Sequence, residues 1–505
     1  MANDRGAYGQ IQKRAIDMWT LVLIFIYFTA ILLIGFYAGK YTKDMSGYLL
    51  GGRNLGVWVV SFGIMAAVMS GWTWLGNPGS AYSSGYAAVI TYTAFSPLGL
   101  VISYFLIAKP VRIISEKFEC YTLTDILAVR WNDNKAIRLL GGIIILIGSM
   151  TYLVSQWVSM GTAVQVAIGT SYKASVIIGA VIITLYIIAG GMLASMWTNF
   201  IQMVIMFLVA GILVVTGLAA VGGFTSMNTQ LAAIDPQLLS PWSTGGGGLT
   251  MSFVLSYTML MLIMGYGGQP AVNTKFMMIK DRKLLKWSPF ISVIALIVGT
   301  FTVYVGLQGR ILVERGIIPA PERQDMILLD VIKQIIPTEM VGLFLVAILA
   351  AVMSTAETHL FNSATAMVQD LMVKTLGLKM KEKTFVILTR IIMAGIAVIT
   401  VFLSLSPPRM ISLIGTQAFG TFCAGFAPTL YLGLRWKRMS SKAAIVGMST
   451  GLVVGGILPI VDNLLFEGEL FANWAIGGVA VVANFVVIII VTLLTKGEKS
   501  KVFEE

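Results

Sequence analysis

The sequence predicts an all-α polytopic membrane protein of about 13 transmembrane helices, and three observations carry the prediction. The 505 residues are 57% hydrophobic and only 11% charged, with a mean hydropathy of +0.86. A soluble protein of this length would carry about 25% charged residues. The apolar residues fall into runs of about 18 or more, the length that crosses a hydrocarbon core. Two of these runs are interrupted. One reads Ala66-Ala67-Val68-Met69-Ser70-Gly71-Trp72-Thr73-Trp74-Leu75-Gly76-Asn77-Pro78-Gly79, and the other Met264-Gly265-Tyr266-Gly267-Gly268-Gln269-Pro270. Gly and Pro clusters free backbone groups at membrane depth, which is tolerated only where protein or a water-filled cavity satisfies them. A matched pair of breaks in two halves of a membrane protein points to a transporter's midplane binding site.

In chain order the spans lie at about 18–39, 55–82, 86–112, 137–168, 172–190, 195–222, 248–279, 286–310, 338–376, 382–404, 408–434, 440–460 and 470–495. They are too long and too uniformly apolar for barrel strands, which alternate. The first span, Met18 to Gly39, exceeds a signal-peptide core and has no small-residue cleavage site after it, so it reads as a retained helix. The second and seventh carry the breaks. Only Gly190-Gly191 separates the fifth from the sixth, which makes that boundary the softest. Pro407-Pro408 marks the loop between the tenth and eleventh. The longest polar connections are Ser115 to Asn134, Gly222 to Gly248 and Gln308 to Thr338, and none amounts to a soluble domain. The Gly245 to Gly248 run reads as a flexible linker, with no Lys-Ser/Thr after it to suggest a phosphate loop.

A net charge of +12 suggests nucleic acid only while position is ignored. With the amino terminus outside, 26 of the 35 Lys and Arg residues fall on the inner side and 9 on the outer. Lys275, Lys280, Arg282, Lys283 and Lys286 fill one inner loop, and Arg435, Lys437, Arg438 and Lys442 another. The outer connections Asn77 to Tyr86 and Gly222 to Gly248 have none. This is the positive-inside bias, and it puts the carboxyl terminus in the cytoplasm of a plasma-membrane protein. The partners it implies are a lipid bilayer and a small organic solute, with no nucleic acid. Cys120 and Cys423 sit on different elements and offer neither a disulfide framework nor a metal spacing. A single histidine, His359, excludes His-rich metal sites.

The strongest constellation is Ile348-Leu349-Ala350-Ala351-Val352-Met353-Ser354-Thr355-Ala356-Glu357-Thr358-His359, at the middle of the ninth span. A bare alkali cation needs several oxygen ligands, which helical hydroxyls and the free carbonyls of a broken helix can supply. Ser354 and Thr355 diverge by about 100°, and the Ala351 carbonyl, about one turn earlier, points toward Ser354. The alternative is that these hydroxyls bond back to the preceding turn or join neighbouring helices.

Gly190-Gly191-Met192-Leu193-Ala194 followed by Trp197-Thr198-Asn199 and Gln202 resembles the sodium/solute symporter signature. So do Gly51-Gly52-Arg53-Asn54-Leu55-Gly56, Met69-Ser70-Gly71-Trp72, Gly268-Gln269-Pro270 and Ala350-Ala351-Val352-Met353-Ser354-Thr355, in family order from about Gly35 to Trp436. Met69-Ser70-Gly71-Trp72 and Gly268-Gln269-Pro270 are similar to the bacterial sodium/proline carriers. Tyr121-Thr122-Leu123-Thr124-Asp125 and Ile234-Asp235-Pro236-Gln237-Leu238 are more similar to the sodium/pantothenate carriers. The resemblance implies a leucine-transporter-like fold of two inverted five-helix repeats, 55–222 and 248–435. Residues 1–54 would form an outer tail and first helix, 223–247 an extracellular connection, and 436–505 two further helices with a cytoplasmic tail. It also implies Na+ as coupling ion, held by the carbonyls of Ala66, Met69 and Ala351 and the hydroxyls of Ser354 and Thr355. Substrate would then lie near Ser70, Trp72, Tyr266, Gln269 and Pro270, with no organic cofactor.

The chain also departs from these relatives. The proline carriers have Asp where Val68 stands, many members have Asp where Asn199 stands, and the proline carriers have Trp where Leu262 stands. Two carboxylates near the cation route are thereby absent and the proline pocket is altered. Glu357 adds a carboxylate about one turn beyond Ser354. An acidic side chain inside a span costs about 2.5–3.5 kcal/mol at the helix centre, so it should face protein or a cavity. Together with Asn199 it either lines the cation's exit path, where it could also exchange a proton, or is a neutral acid bonded to a neighbouring helix. His359, about 200° round the helix from Glu357, reads as structural. Trp74 and Trp197 read as packing, and Trp72 as an apolar wall for substrate. Asp125 and Arg130 read as an intracellular gate or loop ion pair.

The reading is a sodium-coupled symporter importing a small organic solute, a carboxylate such as a proline-like amino acid, pantothenate or a monocarboxylate. A proton-coupled or cation-independent transporter of the same fold is the alternative. A channel would want a continuous polar pore or charged rings, a sensor an appended catalytic module, and an enzyme a nucleophile–base pair.

Overall fold

Lipid offers no partner to a backbone N–H or C=O, so a chain this apolar must close its hydrogen bonds within helices. The computed structural model describes residues 18–503 apart from 43, 244–248, 407–410, 467, 469, 472 and 473. The amino-terminal tail, the Gly245 to Gly248 run and Pro407-Pro408 lie outside the described residues. Among those described, the one extended pairing is an isolated bridge between Leu55 and Ile279.

The helices run in order as α1 (Met18–Ala38), α2 (Val57–Val68), α3 (Trp72–Ser84), α4 (Tyr86–Lys117), α5 (Leu123–Arg130), α6 (Lys135–Ile168) and α7 (Tyr172–Ala220). After the longest connection come α8 (Met251–Ile263), α9 (Pro270–Phe276), α10 (Ser288–Glu314), α11 (Thr338–Thr375), α12 (Glu382–Ser404), α13 (Ile411–Gly433), α14 (Ser441–Leu465) and α15 (Ile476–Leu494). Among the described residues nine helices are long and apolar enough to cross a membrane, or ten when the bent pair α2/α3 counts as one span. The remaining expected crossings are α8 joined to α9, the 23-residue α13, and a second span within α7. At 49 residues α7 would be about 74 Å long if straight, more than twice a hydrocarbon core. It divides at Gly191, whose φ of 59° and ψ of −155° suit only glycine.

Burial separates centre from rim. In α11, 78% of the apolar window is buried inside the protein, against 28% in α1 and in α12. The centre is therefore α11, packed against α6 and α7, with α13 also packed against α6. The helices at the rim turn large apolar side chains such as Phe25, Phe36, Val398 and Phe402 outward, as lipid requires.

Both expected breaks are present. Helix α2 ends at Met69 (φ −75°, ψ 85°) and α3 leaves at 56° to it. Ser70 starts α3: its Oγ accepts the Thr73 N–H at 3.3 Å and its carbonyl accepts the Trp74 N–H at 3.0 Å. Gly71 is confined, since a Cβ there would lie 2.4 Å from Ser159 of α6 and 2.9 Å from Val352 of α11. In the other half, α8 gives way to the turn Tyr266–Gly268, and Pro270 opens α9 at a position that needs no N–H. The bridge joins the segment before α2 to the segment after α9, with Leu55 N to Met278 O at 3.2 Å and Lys280 N to Leu55 O at 2.9 Å. The two broken helices thus have their outer ends on one face, the face of the basic loops.

Candidate functional site

Helix α11 runs past the first break with both hydroxyls turned toward it. Ser354 Oγ donates to the Ala66 carbonyl at 2.7 Å and to the Ala351 carbonyl at 3.0 Å. Thr355 Oγ1 donates to the Ala67 carbonyl at 3.2 Å and reaches Ala66 O at 3.5 Å. Four of the five predicted ion ligands, Ala66, Ala351, Ser354 and Thr355, are therefore gathered in one fully buried group. The fifth, Met69, ends the same helix, but no hydrogen bond of the group reaches it. Ala67, which the sequence reading passed over, takes part instead. Both earlier alternatives for the hydroxyls are present at once, because Ser354 bonds back to its own turn and across to α2.

Beside this group lies a cavity of about 40 Å³ walled by Trp72, Tyr92, Tyr152, Tyr257, Tyr266 and Phe419, with Asn77, Ser96, Gln269, Thr300 and His359 among its polar lining. The Trp72 ring meets Tyr92, Tyr152, Tyr257 and Phe419 edge-on at centroid distances of 6.0–6.5 Å. The indole N–H of Trp72 and the hydroxyl of Tyr266 are buried without a partner. Of the predicted substrate residues, Trp72, Tyr266 and Gln269 line this cavity. Gln269 Nε2 is already committed to α13, to Phe419 O at 3.2 Å and Cys423 Sγ at 3.3 Å. Ser70 is buried behind Tyr152, whose hydroxyl reaches its Oγ at 3.5 Å. Pro270 faces a separate narrow space with Thr122, Ile145, Phe361 and Asn362. A larger recess of about 490 Å³, lined by Ser80, Ser83, Asp462 and Trp474, shares Tyr92 with the cavity. It opens at the far end of α3, opposite the basic loops.

His359 lies in the cavity wall, clamped between two rings. Its imidazole stacks on Tyr152 at 4.3 Å and 14°, and on Phe422 at 5.6 Å and 13°, so one stack joins α6, α11 and α13. Its Nδ1 has no hydrogen-bond partner.

Glu357 faces protein. Its carboxylate accepts from Ser195 Oγ at 2.6 Å and from Thr198 Oγ1 at 3.4 Å, and Asn199 Nδ2 donates to the same Ser195 at 3.2 Å. Glu357 and Asn199 therefore share one polar knot between α11 and α7. Lys275 corrects an expectation. It does not lie in a basic loop but is fully buried at the end of α9, with Nζ donating to Gly63 O at 2.8 Å and Thr358 Oγ1 at 3.3 Å. The long stem lets a residue at the end of an apolar run fold inward as readily as outward.

The basic face is closed by polar contacts. Asp125 pairs with Arg138 rather than with Arg130, and Arg138 also holds Asp133. Arg130 instead donates to the carbonyls of Gly433 at 2.7 Å and Trp436 at 3.3 Å, under the ring of Phe503. Thr122 Oγ1 donates to Asp370 Oδ1 at 2.7 Å, joining α5's cap to the end of α11. The cysteines are both free and buried.

The model of the sodium:solute symporter family matches residues 48–451. An osmoregulated proline transporter, OpuE, of Bacillus subtilis is 33% identical over 439 residues, covering 85% of this chain and 87% of the relative. Sodium/proline symporter 2 of Staphylococcus saprophyticus is 32% identical over 467 residues, 90% and 89% of the two chains. Among solved structures, a Na+-coupled sialic acid symporter in a substrate-bound outward-open state superposes with a TM-score of 0.74 at 18% identity, over 96% of this chain and 100% of that one. Mhp1, a nucleobase-cation-symport-1 family transporter, gives 0.53 at 13% identity, over 92% and 97%. These likenesses establish the leucine-transporter-like fold.

Proposed function

The chain belongs to the sodium:solute symporter family and is a multi-pass secondary transporter, not an enzyme; from that premise we propose that it imports a proline-like carboxylate together with Na+ across the plasma membrane. The observation that carries the reading is the group of Ser354 and Thr355 against the Ala66 and Ala67 carbonyls, two helices contributing oxygen to one buried point. The residues suit a sodium ion. Each hydroxyl now donates to a carbonyl, and turning its O–H away would leave only oxygen lone pairs facing the point between them. Met69 is retained as a fifth candidate ligand from the family pattern.

An ion held there ties α2 to α11 and so favours one arrangement of the broken helix over the other. Solute in the cavity lined by Trp72, Tyr266 and Gln269 contacts the same break, whose Ala67, Val68 and Met69 also line that cavity. Ser70, behind Tyr152, and Pro270, in its separate space, are retained as substrate residues from the family pattern alone. The two sites then share a coupling free energy of about 1–3 kcal/mol, felt equally by each ligand. The recess beside Ser80 serves as the outer approach, and the Asp125, Arg138, Thr122 and Asp370 contacts close the inner one. Glu357 and Asn199 border the ion's inward path. The amino terminus is assigned outside, the carboxyl terminus inside, and the repeats to 55–222 and 248–435. Proteoliposomes given radiolabelled L-proline, other amino acids, pantothenate or short monocarboxylates should accumulate one of them only under an inward sodium gradient. Accumulation that ignores the gradient would overturn sodium coupling. The buried Glu357 and Lys275 favour the proton-coupled alternative, and uptake driven by a pH gradient without sodium would select it.

A further inference from the structure

We propose that His359 is a substrate-binding residue, its imidazole donating a hydrogen bond to the carboxylate of the transported solute and thereby selecting carboxylates. The inference deepens the proposed function and rests on its reading of the aromatic cavity as the solute site.

The chemistry of the cavity points to an acceptor-rich guest. No Asp, Glu, Lys or Arg is among the residues that line it, so the protein supplies no formal countercharge. It does supply unmatched hydrogen bonding. Trp72 Nε1, Tyr266 Oη, His359 Nδ1 and Asn77 Oδ1 are each buried without a partner; the first three can donate and the last only accepts. An indole N–H can only donate, and a buried donor left unmatched costs about 1–3 kcal/mol. Groups of this kind are retained where a ligand meets them. A carboxylate has two oxygens and about four lone-pair directions, enough to take all three donors.

His359 is the most precisely held of the three. Tyr152 stacks on one face of the ring and Phe422 on the other, with planes 14° and 13° away. Near-parallel rings on two neighbouring helices oppose rotation about χ2 and so fix the plane of the imidazole. On the helix, His359 is four residues beyond Thr355, about 40° round, so it sits on the same face as the ion group and one turn along. The solute carboxylate and the ion are thereby placed against the same broken segment. A histidine serving packing alone would leave the stack intact after replacement by phenylalanine, and this separates the two roles.

Equilibrium binding of radiolabelled L-proline, pantothenate and pyruvate to the purified full-length protein in saturating sodium tests the assignment. For whichever compound the parent binds, His359→Phe should raise the dissociation constant about tenfold or more. His359→Gln, which keeps an N–H donor, should stay within about threefold of the parent, the worth of a fraction of one hydrogen bond. The sodium concentration for half-maximal binding should be the same in all three proteins. His359→Phe binding as tightly as the parent would assign the ring to packing. Equal losses in both variants, accompanied by a lowered melting temperature, would do the same. If the parent binds none of the three carboxylates, the carboxylate reading itself falls before any variant is compared, and the role of His359 falls with it.

Discussion

The two broken helices solve the same physical problem in different ways. At the second break the freed backbone is satisfied by one side-chain amide and one tyrosine hydroxyl. Asn273 Nδ2 donates to Gly267 O at 2.6 Å and to Gln269 O at 2.9 Å, while Gly267 N donates to Tyr431 Oη at 3.1 Å. Asn273 bridges the two carbonyls with the N–H groups of one amide, which as placed offers them no lone pair. At the first break the carbonyls of Ala66 and Ala67 are held by hydroxyls, which can rotate and present lone pairs instead. Only the Gly71 N–H is fixed there, by Gln156 Oε1 at 2.9 Å. The carbonyls of the second break are thus held by an amide and those of the first by hydroxyls, and only the first arrangement matches the cation site proposed above. The presence of Gly and Pro in both breaks conceals this asymmetry of chemistry.

The comparison can be broken most forcibly at Asn273. Asn273→Ala strands the buried Gly267 carbonyl, while Gln269 O keeps the N–H groups of Val272 and Asn273. It should cost about 1–3 kcal/mol of stability, read as a lowered melting temperature in detergent. Its sodium dependence should be unchanged; a shift as large as that of the α11 hydroxyl mutants would erase the distinction between the breaks. Ser354→Ala and Thr355→Ala come next. Each removes one oxygen ligand and should raise the sodium concentration for half-maximal uptake about tenfold, the worth of one hydrogen bond to a charged group. Normal sodium dependence in both, with normal membrane insertion, would exclude the site.

Glu357→Gln is predicted to slow sodium-driven turnover several-fold while weakening solute binding less, because its amide can still accept from Ser195 and Thr198. Turnover equal to the parent's would make Glu357 a helix contact only. The smallest effect belongs to Tyr266→Phe. Its hydroxyl has no partner in the protein, so the mutant should fold as the parent does and bind solute about threefold more weakly, a fraction of one hydrogen bond. Tyr266→Ala should cost more, since the ring also meets Phe419 at 5.4 Å. No change in either places the solute elsewhere.

What could be read from the sequence follows from which groups carry a side-chain signature. The breaks were legible because Gly and Pro cluster there, although the first turns at Met69 and its Gly71 serves close packing against Ser159 and Val352. Ser354 and Thr355 were legible because hydroxyls at the centre of an apolar run are conspicuous. Ala67 was not, since it contributes a carbonyl that every residue has. His359 read as structural when its angle was measured from Glu357; measured from Thr355 it falls about 40° away, on the ion group's own face. Lys275 looked like loop charge because Lys280 and Arg282 follow it. The Asp125–Arg138 pair spans a turn at Asn132 and Asp133, both with positive φ (53° and 65°), and helical spacing cannot see across such a turn.

The division of α7 at Gly191 has a consequence for how the protein is made. The stretch from Tyr172 to Ala220 offers the insertion machinery no polar loop to recognise, only a glycine backbone conformation. Tyr48 leaves no room for a side chain there, with ring and backbone atoms 2.6–2.9 Å from where a Cβ would stand. If that stretch entered the bilayer as one crossing instead of two, every later segment would be threaded with inverted parity. The basic loops after α9, α11 and α13 would then lie on the wrong side. Lysine and arginine resist translocation, so with those loops inside, as proposed, they would oppose the inverted threading and favour a hairpin synthesised before them.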